Sequence, residues 1–295
     1  MSRDEERIEQ EIAGARRPRR SKQSRRIVGT LLLAALGALA IADLWANAPG
    51  TATQHRDQLI PLYDNANPAD WQTACSQSNG AQGGSYIIAN AFPGDRPGPG
   101  PVQAWSNVIK HCYQYRRASV IGYVWTNYGR GGSTSIPAIE QQIRAWYSYY
   151  PGEIAGIFFD GVSDTTPGTT TSNKAFYQTL ASYAHTHEGD NNKVVFNLGN
   201  NPGSNWMLAS SSVRNADIVV TFEGSYNTPG SNPYTAWTQA RWEYAYPAND
   251  FAALVYNAPN ATACTSLAHQ HLGYVYVGTK YDTLPPFWNT FLRAC

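Results

Sequence analysis

Eight short apolar runs recur along this chain at intervals of roughly 23 to 40 residues, and no other feature restricts the fold as tightly. They span residues 59–63, 86–90, 120–126, 154–160, 194–197, 218–223, 251–256 and 274–279. Most are continuously apolar rather than alternating, the pattern of parallel strands covered on both faces. Helix signals lie between them. Asn67-Pro68 supplies a cap and a first-turn proline ahead of Trp71 and Cys75, and Ile136, Ile139, Ile143 and Trp146 form one stripe that ends at Pro151-Gly152. Eight such βα units in about 240 residues predict an α/β protein with a single (β/α)8 barrel of the TIM type. The competing architecture is a doubly wound open sheet. It usually brings a glycine-rich dinucleotide turn after the first strand, where this chain has Tyr63-Asp64-Asn65-Ala66.

The segment ahead of the barrel reads as an export or anchoring device. A basic cluster from Arg16 to Arg26 precedes an apolar run from Ile27 to Ala42, closed by Asp43. The run is short of the roughly 20 residues that a bilayer core requires, although Leu44, Trp45 and Ala46 extend it past one charge. Ala40-Ile41-Ala42 fits a signal-peptidase site, whereas the long arginine-rich leader fits an uncleaved anchor with that side in the cytoplasm, the preferred reading. Ser24-Arg25-Arg26 is similar to a twin-arginine signal, with a poor match after it. The expected organisation is a leader over 1–26, a transmembrane anchor or signal core over 27–46, a linker over 47–58 and the barrel over 59–295. The folded part is expected outside the cytoplasm, anchored or secreted.

Cysteine usage agrees with that compartment. Cys75, Cys112, Cys264 and Cys295 all follow the apolar run, their number is even, and no C-x-x-C pair suggests zinc or thiol redox chemistry. Consecutive helices of a barrel are neighbours, so Cys75 with Cys112 and Cys264 with Cys295 are the predicted bridges. Swapped pairings such as Cys75 with Cys295 stay open at this level, and so do four buried thiols. The charge pattern excludes a nucleic-acid partner. The chain carries 22 Lys/Arg and 21 Asp/Glu, but the first 50 residues take 9 and 6 of them, leaving 13 against 15. That remainder lacks the basic footprint that phosphate-backbone binding requires. The 19 Tyr and 9 Trp suit the stacking of sugar faces, although many must serve the core.

A barrel of this type builds its site at the carboxyl ends of its strands. Those ends supply Tyr63 and Asp64, Asn90, Thr126 with Tyr128 and Arg130, Asp160, Asn197, Glu223 with Tyr226, Tyr256 and Thr279. Asp160 follows Gly156-Ile157-Phe158-Phe159, and Glu223 follows Val219-Val220-Thr221-Phe222. Each strand delivers a carboxyl group to a partly desolvated rim, and two carboxyl groups are the minimum for glycoside hydrolysis. The structural alternative is that each caps a helix or pairs with an arginine such as Arg130. His185-x-His187 and His269-x-His271 read as solvated polar residues of helices rather than a metal site, because positions i and i+2 diverge on a helix. The loop from Gly94 to Gly100 lacks the Lys-Ser/Thr of a phosphate loop and reads as a rigid loop at the barrel mouth.

Taken together, Ile60-Pro61-Leu62-Tyr63, Asn90 with Gly98-Pro99-Gly100, residues 121–129 (IGYVWTNYG), residues 156–160 (GIFFD) and residues 222–226 (FEGSY) resemble the spherulin-4 family from about residue 59 to the end. The resemblance implies a (β/α)8 glycoside hydrolase that cleaves galactosamine-containing biofilm exopolysaccharides by endo attack on α-1,4-linked N-acetylgalactosamine, with Asp160 and Glu223 catalytic. It also brings a departure. Characterised members carry an acidic pair after the fourth strand, whereas this chain reads Asp160-Gly161, and Asp164 is the candidate substitute. Substrate contacts are expected from Tyr63, Asp64, Asn90, Thr126, Tyr128, Arg130, Asn197, Tyr226 and Tyr256. The polysaccharide is the expected partner of a monomeric, cofactor-free and metal-free barrel held to the membrane by its N-terminal segment. The alternative is a cell-envelope barrel that binds carbohydrate without cutting it.

Overall fold

The computed structural model describes residues 56–295 apart from 64, 79–83, 93, 95, 188–191, 209–214, 230–232, 268 and 269. The expectations for the leader and apolar segment, for Asp64 and for His269 therefore lie outside the described residues. Among the described residues no helix is long and apolar enough to cross a membrane.

Eight parallel strands close into a barrel in sequence order, with β1 (Asp57–Pro61) paired to both β2 (Ser85–Ala89) and β8 (Tyr274–Val277). Between them run β3 (Ala118–Trp125), β4 (Ile154–Asp160), β5 (Lys193–Asn197), β6 (Ile218–Ser225) and β7 (Phe251–Tyr256). The apolar runs fall on these strands because both faces are covered, by the barrel interior and by the outer layer. Tyr63 and Thr279 stand beyond the ends of β1 and β8, on the loops that follow them.

The outer layer contains α1 (Pro68–Gln77), α2 (Gln103–Tyr115), α3 (Ile136–Tyr149), α4 (Lys174–Thr186), α5 (Ala263–Leu267) and α6 (Trp288–Ala294). Asn67 caps α1, its Oδ1 accepting from the Ala69 amide at 3.0 Å. The α3 stripe packs inward, and Trp146 lies against Gly122 so closely that a Cβ there would come within 2.4 Å of the indole. Trp146 Nε1 also donates to the Tyr123 carbonyl at 3.0 Å. After β6 the connection is a series of 3-10 turns, Tyr234–Ala236, Arg241–Ala245 and Ala248–Asp250, rather than an α-helix. Pro233 and Pro247 open two of these turns, and the segment has no 3.6-residue apolar stripe. Its Tyr234 and Trp237 cover Phe222, and Trp242 covers Phe251.

Two disulfides tie the outer layer together. Cys75 in α1 bridges Cys112 in α2, with Cα atoms 4.9 Å apart, and Cys264 in α5 bridges Cys295 at 5.2 Å. They join helices that follow one another around the barrel.

Two strands are irregular in register. In β4, Val120 and Ile121 of β3 face Ile154 and Gly156, so Ala155 is an extra residue. In β6, Val220 and Phe222 face the consecutive residues Ala252 and Ala253, so Thr221 is extra. Side chains alternate along a strand, so one extra residue reverses the facing of everything after it. Beyond the β6 bulge, Phe222 turns to the outer layer and Glu223 to the barrel interior.

Candidate active site

Asp160 ends β4, Asn197 ends β5 and Glu223 lies near the end of β6, so three adjacent strands deliver three polar groups to one rim. Asn197 is the centre of the arrangement. Its Nδ2 donates to Asp160 Oδ1 at 2.7 Å and also to Glu223 Oε2. Its Oδ1 accepts from the Gly199 amide at 3.1 Å, which fixes the orientation of the side chain. One nitrogen holding both carboxyl groups keeps the two bonded oxygens within about 5 Å of each other.

The remaining side-chain partners are phenols. Tyr123 donates to Asp160 Oδ2 at 2.7 Å, and Tyr281, on the loop after β8, hydrogen-bonds Glu223. Among the described residues neither carboxyl group pairs with an arginine, so the ion-pair alternative does not hold here. With no cation beside them, both groups titrate above the usual carboxylate range. Burial raises Asp160, opposed by hydrogen bonds from Tyr123, the Gly161 amide and Asn197. Burial and then the charge of Asp160 push Glu223 up to about 7, opposed by Asn197 and Tyr281. The two environments separate the pair into a proton holder, Glu223, and a more acidic partner, Asp160.

Tyr63 completes the interior wall. Its ring packs against Tyr123, Phe158 and Tyr281 with centroids 5.5, 6.1 and 5.7 Å away, and its buried hydroxyl has no hydrogen-bond partner among the described residues. Burial, Glu223 and Asp160 hold that phenol well above its usual range, so it stays neutral and able to donate. A buried hydroxyl without a partner costs about 1–3 kcal/mol, a cost that an incoming polar ligand would remove.

The other sequence candidates divide into three groups. Asn90, half-buried at the end of β2, donates its amide to the Tyr63 carbonyl at 2.7 Å, and Tyr256 packs edge-on against Tyr281 at 5.5 Å. Both belong to the same wall. Tyr128 and Arg130 lie on the loop after β3, with the guanidinium 5.6 Å from the Tyr128 ring centroid, and Tyr226 stacks on Tyr234 at 6.3 Å. Thr126 corrects the expectation of a substrate contact. It is fully buried, and its hydroxyl is bound to the carbonyls of Asp160 and Gly161, each at 2.8 Å, and to Tyr177. It holds the turn after β4 and offers nothing to the mouth.

Two further expectations are corrected. Asp164 does not substitute for a second acid in the cluster, because its Oδ1 accepts from Trp206 Nε1 at 2.7 Å and its Oδ2 from the Gly203 amide at 2.9 Å. It ties down the loop after β5. His185 is a buried residue rather than a solvated one, its ring nitrogens 2.9 and 2.8 Å from the carbonyls of Asn192 and Asn215. His271 lies outside any helix, with Nε2 2.6 Å from the Tyr246 carbonyl. Among the described residues no group of three or more His, Cys, Asp or Glu is placed to hold a metal ion.

The sequence reading missed Tyr123, Trp125 and Tyr281. Tyr123 and Trp125 sit inside an apolar run that reads as core, and the only signal was their parity with a strand-end position. Tyr281 lies in a loop with no pattern at all.

Residues 58–295 match the family model of spherulation-specific family 4. No curated protein matches the chain in sequence. Among solved structures, the chain is similar to Sph3 of Aspergillus clavatus in complex with GalNAc, with a TM-score of 0.63 and 19% identity, over 82% of this chain and 98% of that one. At that identity the likeness is one of fold. A glycoside hydrolase family 5 enzyme of Prevotella bryantii has a TM-score of 0.44 at 12% identity, over 77% and 86% of the two chains. A β-1,4-D-mannanase of Cryptopygus antarcticus has 0.44 at 11%, over 81% and 93%. At those scores neither bears on the site.

Proposed function

The chain belongs to spherulation-specific family 4, and on that premise we propose that it is a glycoside hydrolase cutting within α-1,4-linked N-acetylgalactosamine or mixed galactosamine exopolysaccharide. The observation that carries this reading is the single Asn197 amide holding Asp160 and Glu223 together while their environments differ. The resemblance of the strand-end motifs supports the substrate class, as does a fold shared with a protein solved in complex with GalNAc.

Carboxyl groups roughly 5–5.5 Å apart suit retention of configuration, whereas inversion needs about 6.5–9.5 Å to admit a water between them. The Asn197 bridge favours the shorter class. In the proposed reaction the ionised Asp160 attacks the anomeric carbon as the glycosidic C–O bond breaks, and Glu223 gives its proton to the departing oxygen. Water then adds to the anomeric carbon, Glu223 takes the water's proton, and the bond to Asp160 breaks with its electron pair returning to the carboxylate. Tyr123 and Asn197 would hold Asp160 in line, and Tyr281 would orient the Glu223 carboxyl. The reaction is proposed to take place outside the cytoplasm, a placement supported by the two disulfides, with the N-terminal segment as anchor or export signal.

The test is reducing-end release from N-acetylgalactosamine and mixed galactosamine polymers by the full chain, with Asp160→Asn and Glu223→Gln as controls. Release that is abolished in both variants, with a product of retained anomeric configuration by proton NMR, is the expected result. Saturable binding without release would instead favour a carbohydrate-binding barrel, the reading that glycine at position 161 motivates.

A further inference from the structure

Position 161, where the resemblance implies an acid, is occupied in space by something else. Gly161 has φ of 64°, and a Cβ built there would lie 2.5 Å from the six-membered ring of Trp125. Trp125 is the cross-strand partner of Asp160, at the end of β3, and its half-buried indole lies over the Gly161 backbone. The ring can stand there only because residue 161 has no side chain.

The chain around this indole is built to extend it. Tyr128 packs edge-on against Trp125, with centroids 5.3 Å apart, and its own ring is substantially exposed. Arg130 lies over that ring. Asn127 and Tyr128 are consecutive non-glycine residues with φ of 49° and 56°, a left-handed pair that persists only where surrounding contacts impose it. The contacts are present. The Tyr128 amide donates to the Gly161 carbonyl at 2.7 Å, and Asn173 Nδ2 donates to the Tyr128 carbonyl at 2.9 Å. A strained turn therefore holds an exposed aromatic ring beside a half-buried indole, next to the strand end that carries Asp160.

We propose that Trp125 and Tyr128 form an aromatic ledge that stacks a pyranose ring of the polymer next to the scissile bond, and that Gly161 is the residue that admits it. On this reading the chain has exchanged a side chain at position 161 for a sugar platform. The apolar face of a pyranose suits an indole, and the Arg130 guanidinium at the far side offers donors to its hydroxyls. Continuity with the carboxyl pair makes the occupant a unit of the same saccharide rather than a separate partner. The proposal rests on the glycosidase reading, which supplies the saccharide.

A double-mutant cycle on binding tests it. The full chain carrying Glu223→Gln would be titrated calorimetrically with α-1,4-linked N-acetylgalactosamine oligomers, alone and with Trp125→Ala, Gly161→Ala or both. Each single change is expected to weaken affinity roughly tenfold, and the double to be no weaker than either single, because a methyl group at position 161 acts only by displacing the indole. Thermal unfolding of each variant controls for the strain of alanine at positive φ. Should Gly161→Ala fail to fold, Trp125→Ala against Trp125→Phe carries the test, with phenylalanine retaining most of the affinity. Unchanged affinity in Trp125→Ala, or losses that add in the double variant, overturns the ledge while leaving the glycosidase reading standing. A folded Glu223→Gln chain that binds no oligomer overturns the substrate assignment and the ledge with it.

Discussion

The two ends of the barrel treat their acids differently. At the end where the strands begin, Asp217 stands just before β6 with Lys193 Nζ and His185 Nε2 each 3.8 Å from its carboxylate, and its Oδ2 accepts from the Val194 amide at 2.8 Å. Lys193, His185 and a backbone donor face that group, and it joins the ends of α4, β5 and β6. At the opposite rim, Asp160 and Glu223 are surrounded by Tyr123, Asn197 and Tyr281, which donate hydrogen bonds without carrying charge. Neutral donors align carboxyl groups but do not cancel their repulsion, so one of the pair retains its proton. The contrast fits a structural role for Asp217 and the proposed proton transfer at the opposite rim.

The largest expected effect separates the ends outright. Glu223→Gln should lower polymer cleavage by roughly 10²–10⁴-fold with no loss of thermal stability, whereas Asp217→Asn should leave cleavage within about threefold of wild type while costing on the order of 1 kcal/mol of stability by urea unfolding. Equal losses of activity from the two substitutions would erase the distinction. Next in size is Asn197→Ala. Removing the shared donor raises both carboxyl pKa values, so the alkaline limb of the pH–rate profile, set in the wild type by Glu223 near 7, should move upward as the rate falls roughly 10²-fold.

Stability should carry the same signature. Glu223 has a folded-state pKa of about 7 against an ordinary 4.5, so the folded protein binds its proton more tightly than the unfolded chain does. That contribution is fully present below about 4.5 and is lost as pH rises through about 7. Glu243, buried beneath β6 beside Thr221 and Gln239, behaves alike, again with a value of about 7. The melting temperature should therefore fall between pH 4.5 and 7.5, by the equivalent of no more than about 3 kcal/mol per group. Glu223→Gln should flatten part of that slope and Glu243→Gln a further part, and only the former should affect cleavage. The smallest effect is expected from Tyr281→Phe, a fall in kcat of about tenfold or less with KM little changed, measured by reducing-end release.

The barrel was readable because parallel strands covered on both faces require unbroken apolar runs, and all eight runs became strands. Asp160 and Glu223 were readable as polar residues ending such runs. The role of Asn197 was not, since a strand-end asparagine looks the same whether it binds ligand or bridges two acids. Thr126 misled for the same reason, because strand-end polarity does not reveal whether a hydroxyl faces the mouth or the adjacent turn. Tyr123, Trp125 and Tyr281 are aromatic, and aromatic residues within a barrel are mostly core. Their function depends on which way each ring points, which is fixed by register and loop packing rather than by composition.

The single extra residue in each of β4 and β6 has a consequence for how this family can vary. Both acids stand downstream of a bulge, and each keeps an in-register partner beyond it, Trp125 for Asp160 and Leu254 for Glu223. Loss of a single codon, at Ala155 or Thr221, would restore a regular strand with the acid still inward, whereas drawing the extra residue into the ladder at constant length would send the acid outward into the helical layer. Descent can therefore drop either position and keep both acids facing the mouth, so a gap at Ala155 or Thr221 in a relative is no sign that its site is lost.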